Sequence, residues 1–245
     1  MPLIFGINPL LEDLRSQIGR VNRIIVAQGR GGEALQKVLN LARQKGIHIE
    51  FREKSYLDRK AGQGFHQGVV GFCEPFAYAS VDDVIANRHP DFKYNLILIL
   101  DCITDPQNLG ALIRTAHCCG ANGVIIPENR SASVTGAVIK ASAGAANYTP
   151  IATVVNLSNA IDDLKEQGFW IYGTDPASGR NFGSFDYSGH SGLVMGNEGK
   201  GMRPLTRKKC DFLLSIPTMG KIDSLNVSVA AGIILCEISR KFEKV

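Results

Sequence analysis

Long hydrophobic runs are missing from this 245-residue chain: the longest, Leu96 to Leu100, falls far short of the roughly 20 residues a membrane-spanning helix needs. The N-terminus has no basic segment followed by an apolar one, so neither an export signal nor an anchor is expected and the chain reads as cytoplasmic. Cysteine is sparse and irregular. The six thiols, at positions 73, 102, 118, 119, 210 and 236, contain no C-x-x-C pair, and the five histidines fall at no ligand spacing. This argues against both a disulfide framework and a metal centre. Cys118 and Cys119 lie in an apolar helical segment and read as buried thiols. Two nucleotide fingerprints are absent as well. No G-x-G-x-x-G follows a strand and no G-x-x-x-x-G-K-[ST] occurs, which disfavours a dinucleotide site and a triphosphatase.

What is present is a globular composition, 44% hydrophobic, with length for one large domain or two smaller ones. The net charge of +4 is unevenly spread: residues 1–60 carry eleven Lys and Arg against six acidic residues, residues 61–95 net −2, and residues 96–245 net +1. A basic N-terminal part suits a surface that meets phosphates, with an ordinary solvated helix face as the plain alternative.

Apolar positions Ile7, Leu10, Leu11, Leu14 and Ile18 recur near the 3.6-residue period and predict a helix over 6–19. A strand at 23–27, the GRGG turn at 29–32 and a helix over 33–45 stopped by Gly46 follow. A strand at 47–51, a short helix at 55–59 and a strand at 69–72 complete an α/β/α module assigned to residues 1–75. The segment AGQGFHQG, 61–68, reads as a flexible loop whose Gln, His and Gly content also suits backbone contact with a nucleic acid. From Glu74 the composition changes, with Pro75, Pro90 and several charges, and residues 76–95 read as a linker.

Residues 96–245 alternate strand and helix patterns. LILIL ending in Asp101 is a continuous apolar run, as a strand buried on both faces should be. Further strands are expected at 123–127, 149–155, 169–175, 192–196 and 212–217, with helices around 109–119, 134–142, 158–167, 203–209 and 227–240. This is an α/β pattern with a mainly parallel sheet. Ligands of such sheets bind at the carboxyl ends of strands, which places Thr174, Gly196 and Ile216 on one pocket.

Three stretches carry the chemistry. In IPTMGKIDSLNVSVAAGIILCE, 216–237, a Gly-containing loop leads through Ser224, Leu225 and Asn226 into an apolar helix. Ser224 or Asn226 can cap that helix, whose first amides and dipole favour a ligand's polar edge. Ala230, Ala231 and Gly232 make one side slim enough for another backbone to pass close by. In MGNEGKGM, 195–202, three glycines around Glu198 allow tight turns and backbone approach to a ligand. In DPQNLGALIRTA, 105–116, Asn108 sits near a helix start and Arg114 about a turn and a half further on. The plain alternatives are a capped core helix, a Gly-rich loop and a surface arginine lying along its helix.

Taken in order and spacing, N-L-G-A-x-x-R, L-V-M-G-N-E-G-x-G and I-P-x-x-G-x-x-x-S-L-N-V-S-V-A-A-G resemble the three motifs of the SpoU (TrmH-like) class of SPOUT RNA 2'-O-ribose methyltransferases. FGINPL and HQGVVG in the N-terminal module further resemble the L30e-like substrate-binding domain of the RlmB type, which methylates a guanosine of bacterial 23S rRNA. The resemblance implies a SPOUT α/β-knot, in which a deep trefoil knot forms the S-adenosylmethionine pocket from loops ending at Thr174, Gly196 and Ile216 to Leu225. It also implies a homodimer acting on 23S rRNA, with the active site near the subunit interface.

For the reaction it implies a catalytic set of Asn108, Arg114, Glu198, Ser224 and Asn226, and no metal. Deprotonating a guanidinium at neutral pH costs on the order of 9 kcal/mol, so Arg114 is expected to bind phosphate and stabilise developing alkoxide rather than act as a literal base. Asn108 and Glu198 are expected to orient Arg114, Ser224 to hold substrate phosphate, and Asn226 to position ribose or methionine groups. Lys200 stands at a variable position of the second motif, and Lys221 and Asp223 carry no expected role. A tRNA methyltransferase of the same class and a non-catalytic rRNA-binding protein are the alternatives.

Overall fold

The computed structural model describes residues 3–15, 19–61, 66–220 and 224–242. Ile18, residues 62–65 of the 61–68 segment, Lys221 and Asp223 lie outside the described residues. The chain divides into two units, Met1–Ala77 and Tyr78–Val245.

The first unit has a four-stranded sheet of β1 (Leu3–Phe5), β2 (Val21–Ala27), β3 (His48–Arg52) and β4 (Val69–Cys73), in the order β1-β4-β2-β3. Strand β4 runs antiparallel to both neighbours, while β2 and β3 are parallel. The pleat of β2 points Ile24 and Val26 to one face and Ile25 and Ala27 to the other, and both faces are covered. Helices α1 (Ile7–Arg15) and α2 (Glu33–Gln44) bury Leu10, Leu14, Leu35 and Val38 on the first face. Helix α3 (Lys54–Ala61) buries Leu57 on the second. The result is the expected α/β/α sandwich. Three-residue β1 was not anticipated, because so short an apolar piece carries no periodicity.

The second unit is built on six parallel strands, β5 (Leu96–Asp101), β6 (Gly123–Pro127), β7 (Ile151–Val154), β8 (Phe169–Thr174), β9 (His190–Gly196) and β10 (Phe212–Leu214), ordered β10-β8-β9-β5-β6-β7. All of β5 is buried, as its unbroken LILIL required. One face carries α4 (Val81–Ala86), α7 (Leu157–Glu166) and α8 (Pro204–Lys209), where Val84, Ile97, Ile99, Ile125, Ile161 and Leu164 share a core. On the other, α5 (Pro106–Cys118) packs against both α6 (Gly136–Ala141) and α9 (Val227–Lys241).

The stretch expected as a linker, 76–95, is structured from Ala79 on. Ala79 bridges Ala152 beside β7, Ser80 and Asp83 form a reciprocal capping box for α4, and Val84 is buried in the sheet core. These residues are part of the second unit's packing. The paired thiols are a second correction: Cys118 is exposed and Cys119 only half-buried, because they fall where α5 ends rather than on its sheet-facing stripe.

Candidate active site

Three strand ends and one helix start converge. Thr174 closes β8, Gly196 closes β9, and Ser215 and Ile216 follow β10; with the start of α9 they enclose a cavity of about 350 Å³. Thr174, Gly196, Ile216 and Leu225 all line it, as expected for ligands at the carboxyl ends of parallel strands. Its apolar floor comes from Met195, Leu214, Val227 and Ile234, and polar groups of Asp175, Glu198, Ser215 and Ser224 stand at its wall.

Local chemistry fixes each wall. Gly196 cannot carry a side chain, since a Cβ would collide with the backbone of Gly201 and Met202. The chain turns back there in a tight hairpin, in which Asn197 and Gly201 exchange backbone hydrogen bonds of 3.1 and 2.8 Å. Gly201 supplies the left-handed turn at φ 66°. The Asn197 side chain accepts from the amide of Gly199 at 3.0 Å, leaving Glu198 at the tip. Opposite, the Asp175 carboxylate accepts from the Ala177 amide at 2.9 Å and takes the Arg207 guanidinium at 2.6 and 2.8 Å. That fork ties the loop after β8 to α8.

At the start of α9, Asn226 is the N-cap, its Oδ1 accepting from the Ser228 amide at 3.0 Å. Its Nδ2 donates both to Asn108 Oδ1 at 2.9 Å and to Glu198 Oε1 at 2.7 Å. Glu198 also accepts from the Val227 amide at 3.2 Å, an anion on an uncapped helix amide. Asn108 is itself held on the first turn of α5, where the Asp105 cap accepts from its amide at 2.9 Å. Three residues scattered over 118 positions thus form one network.

Arg114 stands outside that network. The expectation that Asn108 and Glu198 orient it is not met: both bind Asn226 instead, and the exposed Arg114 side chain forms no hydrogen bond or ion pair among the described residues. Six residues along a helix at 100° each place it about 120° round α5 from Asn108. Ser224 is exposed at the cavity mouth. Gly232 is not needed for close approach, as a Cβ there would make ordinary contact with Thr115 at 3.4 Å. The small side chain that matters is Ala230, which lines the cavity.

Asp175, Ser215 and Thr218 line the cavity without having been singled out, and Lys200, noted only for its variable position, lines it too. Asp175 and Ser215 directly follow strand ends, which was their signal; Lys200 had none beyond its place in the Gly-rich loop. Thiol nucleophiles are silent here. Burial pushes the Cys210 thiol up to about 12, and burial with the neighbouring Asp101 carboxylate raises that of Cys102.

A parallel α/β unit whose strand-end cavity adjoins a capped helix start, together with a separate α/β/α unit, is the architecture of SPOUT methyltransferases that carry a substrate-binding domain. The chain belongs to the SpoU rRNA methylase family, whose model matches residues 95–236. A second model, for RNA 2'-O ribose methyltransferase substrate binding, matches residues 3–79.

YacO of Bacillus subtilis, which carries the name of a TrmH family tRNA/rRNA methyltransferase, is 39% identical over 97% of this chain and 95% of its own. The SpoU methyltransferase AviRb of Streptomyces viridochromogenes, solved with AdoMet, matches at TM-score 0.67 with 26% identity, over 98% of this chain and 89% of that one. An AdoMet-bound rRNA methyltransferase of Sinorhizobium meliloti matches at 0.63 with 25% identity, over 97% and 86%. The protein is an RNA methyltransferase that uses S-adenosylmethionine. The cavity fits that donor, with an apolar floor for an adenine ring and a wall of strand-end loops that present backbone and small polar groups. Among the described residues no group of side chains is arranged to hold a metal, and no helix is long and apolar enough to cross a membrane.

Proposed function

We propose that this enzyme methylates the ribose 2'-hydroxyl of a guanosine in 23S rRNA, in the cytoplasm and as a homodimer. The observation that carries the reading is the Asn108–Glu198–Asn226 network, which joins the three motifs beside the strand-end cavity. S-Adenosylmethionine supplies an electrophilic methyl group on a sulfonium, so the protein's task is to align the hydroxyl and help its proton leave. Glu198 fixes the Asn226 amide and satisfies the Val227 amide, which holds the start of α9 against the cavity. Asn226, its amide spent on Asn108, Glu198 and Ser228, acts on ribose or methionine groups by holding the start of α9 in place, and Ser224 at the mouth holds a substrate phosphate. Arg114 points outward, where RNA can reach it; there it binds the phosphate beside the target ribose and stabilises developing alkoxide. A homodimer with its site near the subunit interface fits that outward position.

The return of the chain from β10, at the sheet edge, to α9, packed on α5 beside the central strands, supports a deep trefoil knot at this site. The choice of rRNA rests on the N-terminal unit, a whole α/β/α sandwich matched by the substrate-binding model. Transfer of label from S-adenosylmethionine to unmethylated 23S rRNA and to bulk tRNA, followed by nuclease mapping, tests the reading. Label in one rRNA guanosine is the expected result. Label in tRNA instead would overturn the substrate, and label in neither despite RNA binding would favour a non-catalytic rRNA-binding protein.

A further inference from the structure

A second cavity, of about 450 Å³, opens beside the first and shares Asn197, Lys200 and Gly201 with it. Its other walls are Cys102 and Thr104 after β5, Arg130 after β6, and Arg203 before α8. Nothing in the three motifs assigns it a role. Its electrostatics are one-sided. No carboxylate of the described residues lines it, and Asp101, just before Cys102, is fully buried and already satisfied: it accepts from Arg203 Nε at 2.6 Å and from the Arg203 amide at 2.8 Å. That pair is internally neutral and leaves Lys200 and Arg130 uncompensated. Among the described residues neither side chain forms a hydrogen bond or ion pair.

The backbone is also shaped for this place. Cys102 and Arg130 both adopt the left-handed conformation, each at φ 62°, which costs a non-glycine residue on the order of 1 kcal/mol or more. Two of the five described non-glycine residues with positive φ therefore face this one cavity. Arg130, Lys200 and Thr104 thus line one cavity from three separate loops, those after β6, β9 and β5.

We propose that this cavity holds a phosphodiester of the RNA strand next to the ribose presented to the methyl-donor cavity, with Arg130 and Lys200 as its cationic clamp. The proposal rests on the methyltransferase reading of the first cavity. The shared wall is what selects RNA over a free anion: a phosphate seated between Arg130 and Lys200 lies directly alongside the site of transfer, where the acceptor's own backbone must run. Arg130 is then a substrate-positioning residue that does not touch the donor.

The test uses the full chain and the transcript that accepts label, 23S rRNA or tRNA. Arg130→Gln should weaken RNA binding about tenfold, and the slope of log affinity against log salt should become shallower by about one. Arg130→Lys should restore most of both, and S-adenosylmethionine affinity should be unchanged in all variants. Arg130→Gly removes the charge while easing the left-handed backbone, and it should reproduce the RNA defect where Arg130→Gln folds poorly. Unchanged RNA affinity and salt slope in both neutral variants, with donor binding intact, would overturn the proposal. Failure of the unaltered protein to bind the donor would instead overturn the reading beneath it.

Discussion

Asn226 joins two tasks in one amide. Its oxygen caps α9 and its nitrogen ties the second motif to the first through Glu198 and Asn108. These tasks can be separated. Serine is as good an N-cap as asparagine but is too short to reach both partners. Asn226→Ser should leave stability to chemical denaturation within about 0.5 kcal/mol of the parent, while methyl transfer falls at least tenfold. Transfer at the parent rate would show that the network is a cap and nothing more. Asn108, Glu198 and Asn226 were legible because their motifs place polar residues where helices start and loops tighten. The partner of each was not, since a list of spacings does not say which amide faces which carboxylate. Arg114 shows this directly: chemical sense paired it with Glu198, and the rotation of α5 turned it away.

At the scale of elements, small residues decide how closely helices and loops approach. In α5, Gly110 faces α6, and a Cβ there would collide with Ala141 and stand 2.8 Å from the Val138 carbonyl. Helix propensity alone favours Gly110→Ala by about 1 kcal/mol, but overpacking costs about 1–3 kcal/mol. The steric cost should win, so the variant should unfold at lower denaturant, with the midpoint from circular dichroism as the measure. A more stable variant would mean that α6 yields freely. Strand and helix order was legible because short unbroken apolar runs alternate with longer stretches of mixed polarity in 96–245. The helix Val81–Ala86 was missed since six residues with one buried apolar position give no period, although S-V-D-D carries the Ser80 to Asp83 spacing of a capping box. Gly196 was legible as a ligand-facing glycine; its further constraint, the returning backbone of 201–202, exists only once the hairpin closes.

For the whole molecule, the two-unit division and the strand-end location of the cavity follow from composition and the general rule for parallel sheets. The path of the chain past that cavity does not, because hydrophobic periodicity carries no information on threading. The second cavity was equally hidden: Thr104, Arg130 and Arg203 belong to no motif and meet only through the adjacency of β5, β6 and β9.

The central claim is a division of labour, in which the strand-end cavity binds the methyl donor and the outward Arg114 serves only the transfer to RNA. The measurement that tests it most directly is donor affinity by calorimetry alongside single-turnover methyl transfer, both on Arg114→Ala. Donor affinity within about twofold of the parent, or about 0.4 kcal/mol, with transfer abolished, is the predicted result. Donor binding lost along with transfer, or transfer retained, would contradict it.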